Sequence, residues 1–130
     1  MTGPHNPSSF DDSCVFVAVA RLLRTTPEWV SETSEWWTGN VWLSEACDVI
    51  RSAAEGAGRQ ATIVTDGSRY PPAGVTNEYG MLYHGVGGNC HAVNVERVGN
   101  QWWIYDYTDI SGRLWRDWNE VASVAAIFWL

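Results

Sequence analysis

At 130 residues, with 45% hydrophobic and 18% charged side chains, the chain suits one folded domain with a real core and excludes a disordered one. Eight basic residues against fifteen acidic ones give a net charge of −7, which speaks against nucleic acid and anionic membranes as default partners, since both select a positive surface. No run approaches the ~18 apolar residues of a membrane span, and MTGPHNPSSF at the start lacks the charged-then-apolar pattern of a signal peptide.

Residues 1–12 are rich in Gly, Pro, Asn and Ser and show no apolar periodicity, so an extended arm is expected there. From Cys14 the run CVFVAVARLL is apolar almost all round. Asp11, Asp12 and Ser13 can cap it, and Arg21 and Arg24 suit the negative end of a helix dipole. A buried helix from about Ser13 to Arg24 is expected, with a Val-rich strand as the competing reading. Thr25 and Glu28 have capping-box spacing around Pro27 and open a second helix, to roughly Trp36. Ser44 opens a third, with Cys47, Ile50 and Ala54 on one stripe and Gly56 or Gly58 as its stop.

Beyond this point the pattern turns to β. Ala61 to Thr65 is a short β-type run, and Asp66 to Glu78 is a loop punctuated by Gly67, Pro71, Pro72 and Gly74. Gly80 to Val86 reads as a strand. Cys90 to Val98 and Gln101 to Thr108 read as a hairpin around Gly99-Asn100. Val121 to Leu130 closes the sheet or packs beneath it. Helices first and an antiparallel sheet second make a single α+β domain.

Three residues in this layout carry chemistry: Cys14, His91 and Asp106. A thiol at a helix N-terminus has its thiolate favoured by the dipole, and the thiolate is the nucleophile. The Cys14 backbone N–H there can serve an oxyanion hole. Against this, a small apolar cysteine is often just core. A two-residue Gly99-Asn100 turn sets Val98 opposite Gln101, Val93 opposite Asp106 and His91 opposite Thr108. His91 and Asp106 then share a face as diagonal neighbours, close enough for an imidazole–carboxylate contact, with Cys90 and Asp109 on the other face. A one-residue slip would replace Asp106 by its neighbours. A surface His and an edge Asp with no shared role is the plainer alternative. His84 reads as a rim residue, His5 as part of the arm, and Cys47 as core. A lone Cys90-His91 dipeptide is too little for a metal. No metal or cofactor is expected. The cysteine count is odd and lacks a C-x-x-C spacing, which points to free thiols and a reducing compartment. The nine Trp, including Trp36-Trp37 and Trp102-Trp103, read as core and rim aromatics, with a sugar-stacking platform as the rarer alternative.

These residues resemble the papain-fold toxin domains of bacterial polymorphic toxin systems. Asn6-Pro7, a short polar stretch and Cys14 leading VFVAVARLL match the nucleophile half. GNCHAVNVERVGNQWWIYDYTD matches the His-strand, turn and Asp-strand half. The resemblance spans Asn6 to about Gly112, with a poorly matched middle from 25 to 80. Many members carry a second Cys three residues after the nucleophile; Phe16-Val17 stand in that region here, which leaves the nucleophile untouched. The resemblance implies a papain-like core, with Cys14 as nucleophile, His91 as general base and acid, and Asp106 orienting His91. It also implies a polar side chain upstream of Cys14 as second oxyanion donor, with Asn6, Ser9 and Ser13 as the options. The implied chemistry is acyl transfer through a thioester on a protein substrate, with deamidation of glutamine favoured over proteolysis or transglutamination. A cognate immunity or inhibitor protein is an implied partner. The protein would then be a delivered bacterial effector, carried by something outside this chain. Transglutaminase-like domains have similar His and Asp strands, but their Cys-to-His spacing is usually shorter than the 77 residues here. A non-catalytic acidic, Trp-rich binding or immunity module is the reading from another class.

Overall fold

The computed structural model describes residues 9–36, 40–106, 109–115 and 118–130. Its elements run β1 (Ser9–Asp11), α1 (Asp12–Leu23), α2 (Pro27–Ser34), β2 (Asn40–Trp42), α3 (Leu43–Gly56), β3 (Thr62–Val64), β4 (Glu78–Gly85), β5 (Cys90–Val98), β6 (Gln101–Asp106), β7 (Asp109–Leu114) and β8 (Val121–Trp129). The architecture is α+β: the described residues form three helices and a six-stranded antiparallel sheet in the order β3-β8-β4-β5-β6-β7.

The expected arm is corrected at its end. Ser9–Asp11 is not loose chain but a strand, paired antiparallel with Asn40–Trp42 in a separate two-stranded sheet. Three residues with no apolar alternation become a strand only because a segment some thirty residues away satisfies their backbone groups. The helices-then-sheet order is corrected with it, since β1 and β2 lie among the helices. Asn6 lies outside the described residues, and so do the side chains of Ser9, Ser13 and Asp109.

The caps are local chemistry. Thr26, not Thr25, caps α2: its hydroxyl accepts from the Trp29 N–H at 3.1 Å, with Pro27 in the first turn. At α3 the Glu45 carboxylate accepts from the Trp42 N–H at 2.9 Å. The helix turns Ala46, Cys47, Val49, Ile50, Ala53 and Ala54 inward.

Strand alternation divides the core in two. Leu82, Cys90, Ala92, Ala126 and Phe128 join α1 and α3 residues in one cluster. Tyr79, Met81, Tyr83, Val93, Val95, Ile104 and Ile127 form the other, on the far face. The last strand does not simply close the edge. It inserts between β3 and β4, so Val121–Trp129 is an interior strand, one in from the edge. Gly80 allows this, because a side chain there would run into the Phe128 ring of β8.

Candidate active site

The β5–β6 hairpin has the register set by its turn. Val98 pairs with Gln101 and the ladder runs to Asn94 opposite Tyr105. Gly99 takes a φ of 66°, which a side chain would resist. His91 and Asp106 lie beyond the last pair, and there the imidazole Nε2 is 2.9 Å from Asp106 Oδ2. The two side chains are 22% and 13% exposed, so the contact is shielded without being sealed. With Nε2 engaged by a carboxylate, the ring's tautomer and tilt are constrained.

The thiol comes from a different layer. Helix α1 lies along β5 in the same direction: the buried Asn94 amide donates to the Ala18 carbonyl at 2.9 Å, and Arg21 pairs with Glu96 at 3.3 Å. Four helical residues rise about 6 Å, the length of about two strand residues. Cys14 therefore comes level with Ala92 on the helix face of β5, while His91 shares the other face with Tyr83. Cys14 is 1% exposed and belongs to the same buried cluster as Cys90 and Ala92.

Tyr83 links these groups, and the sequence reading passes over it. It stands opposite His91 on β4 and meets the imidazole edge-on, with centroids 5.8 Å apart at 89°. Burial pushes its phenol well above the ordinary 10.0, and the charges of Glu120, Asp106 and Cys14 add to it. One buried tyrosine thus touches His91 and has both Asp106 and Cys14 in electrostatic range. The alternation of Tyr79, Met81 and Tyr83 is the signal that could have placed it on the His91 face.

His84 is half-buried at the end of β4, and its Nδ1 lies 3.2 Å from the Cys90 sulfur, directly across the β4–β5 ladder. A turn centred on Gly87 is the sequence signal for that pairing. Burial raises the Cys90 thiol above its ordinary 9.0, and burial likewise raises Cys47, whose nearby Arg51 opposes the shift. In both, burial disfavours the thiolate. Cys47 is core, as expected. Among the described residues no group of three His, Cys, Asp or Glu is arranged for a metal, and no helix is long and apolar enough to cross a membrane.

No protein-family model, curated protein or solved structure matches this chain.

Proposed function

We propose that this domain is a papain-like cysteine enzyme that works by acyl transfer through a thioester, and that its reaction is the hydrolysis of a glutamine side-chain amide in a target protein. The observation that carries the reading is the 2.9 Å contact between His91 Nε2 and Asp106 Oδ2, with Tyr83, which meets the His91 ring edge-on, in electrostatic range of Cys14. A carboxylate on one ring nitrogen orients the imidazole and leaves the other to handle the thiol proton.

In this scheme the Cys14 sulfur attacks the amide carbon while His91 takes the thiol proton at Nδ1. The oxyanion is held by the Cys14 backbone N–H in the first turn of α1. Collapse of the intermediate expels ammonia, which leaves with the proton from His91. Water, deprotonated by His91, then attacks the thioester, restoring the thiol and leaving glutamate. A peptide bond in place of the side-chain amide gives proteolysis, and an amine in place of water gives transglutamination; cleft and acceptor decide among them. The setting that accords with this chemistry and with cysteines kept reduced is a delivered bacterial effector acting in a reducing cytosol, with a cognate inhibitor in the producer.

The 1% exposure of Cys14 favours one rival, a non-catalytic binding module in which the cysteine only packs. Iodoacetamide labelling of Cys14 against pH, with peptide mapping and His91→Ala as control, separates the two. The enzyme predicts labelling that stays fast well below the free-thiol pKa of ~8.5 and is lost in the control. Slow labelling with an ordinary midpoint would favour the binding module.

A further inference from the structure

The far end of the β5–β6 hairpin carries a second feature that the proposed chemistry does not use. Tyr70, Trp102 and Trp115, with Leu114, Asn100 and Gln101, line a recess of about 190 Å³. Seven strand residues separate Val98 from His91, roughly 23 Å. The Tyr70 ring is 44% exposed and lies 5.7 Å from the Trp115 ring and 6.3 Å from the Trp102 ring. Trp102 in turn packs edge-on to Tyr79, and Trp115 is 5% exposed, so the floor and one wall are fixed while Tyr70 offers an open face.

The chemistry of the recess narrows its occupant. Its volume is below the range of drug-sized pockets and suits a single ring. A cationic ligand is disfavoured, because Arg97 already sits over Trp102 at 5.9 Å and Arg69 over Trp115 at 5.6 Å. A purely apolar ligand would strip water from the Asn100 and Gln101 amides without replacing it. Of the two indoles in the lining, Trp115 has its N–H committed to the Tyr79 hydroxyl at 3.1 Å and the Arg69 carbonyl at 3.5 Å, which leaves the amides of Asn100 and Gln101 as the paired polar groups facing a ligand. Sugar hydroxyls donate and accept, as side-chain amides do. On a chain of net charge −7, this recess has no acidic side chain in its lining and two exposed guanidinium groups beside it.

We infer that this recess binds a carboxylated saccharide, one pyranose ring lying on Tyr70 with its hydroxyls on Asn100 and Gln101 and its carboxylate toward Arg97 and Arg69. The site is independent of the thiol chemistry and would anchor the domain to an acidic glycan.

The test is a titration of the isotope-labelled domain with hexagalacturonate, read on the tryptophan indole N–H resonances, with maltohexaose as the neutral control. Saturable shifts confined to Trp102 and Trp115 are expected, weakening in high salt. Tyr70→Ala should lower the affinity about fivefold, the worth of one stacked ring. Arg97→Gln should lower it and reduce the salt dependence, with Arg69 keeping the remainder. Both substitutions are on exposed side chains, and an unchanged amide spectrum shows that the fold is kept. No saturable shift with hexagalacturonate, or an equal response to maltohexaose, would overturn the proposal. Iodoacetamide labelling of Cys14 should be the same in both variants, so failure here leaves the enzyme reading standing.

Discussion

His91 and Asp106 are fifteen residues apart in sequence and 2.9 Å apart in space, on adjacent strands just past the end of their shared ladder. In the proposed reaction the carboxylate holds the ring rather than reacting, so its amide can do much of the same work. Asp106→Asn is expected to lower deamidation about tenfold, as an amide can still orient an imidazole. His91→Ala removes the proton carrier and should cost on the order of a thousandfold. Equal losses at the two positions in a single-turnover ammonia-release assay would count against the orienting role.

Two thiols, Cys14 and Cys90, compete for the proposed chemistry, and substitution tells them apart. Cys90 lies 3.2 Å from His84 but has a raised pKa, from burial. Cys90→Ser should therefore leave activity within about threefold, whereas Cys14→Ala should leave none, with a stability change of only about 1 kcal/mol for a small buried side chain. Ammonia release and urea midpoints on the two variants check this. Activity retained by Cys14→Ala and lost by Cys90→Ser would move the nucleophile to Cys90.

The legible part of this molecule is its local part. The Gly99-Asn100 turn alone sets the strand register that brings His91 and Asp106 diagonal to each other, and the capped apolar run from Cys14 is enough to place α1. What escapes the sequence depends on distant partners. Ser9–Asp11 has no strand pattern of its own, and the place of β8 between β3 and β4 is a matter of non-local pairing. β7, at the sheet edge, carries Gly112 with a φ of 82° and no apolar alternation to announce it. Within the site, Tyr83 escapes because its role appears only when β4 is laid beside β5.

Asn94 is the buried polar side chain that ties helix to sheet. It is 4% exposed on β5, and its amide donates to the Ala18 carbonyl at mid-helix. Asn94→Ala opens a void and removes that tie, with an expected loss of about 1–3 kcal/mol. Because the tie sets how far α1 lies along β5, catalysis should fall more than stability implies. Under conditions where the variant is fully folded by circular dichroism, kcat is expected to drop about tenfold or more, since small misplacements of reacting groups are costly. A folded variant with unchanged kcat would show that α1 is positioned by its apolar contacts alone.

Alkali should loosen the fold before it touches the backbone. Tyr79, Tyr83, Cys47 and Cys90 all hold their protons to higher pH than their ordinary values, in each case mainly because burial disfavours the charged form. The unfolded chain gives up those protons first, near 9.0 for the thiols and 10.0 for the phenols, and above those values it binds fewer protons than the native state. Stability is thus present in full below the unfolded values and is lost as pH rises through them toward the raised native ones. The Tm by circular dichroism should fall progressively above about pH 9. Tyr83→Phe removes one of the four groups while keeping its ring against His91, so its Tm should fall less steeply in the phenol range than that of the parent. A parent Tm that holds steady through that range would mean that these side chains reach solvent, and that the His91 face of the sheet is open to water.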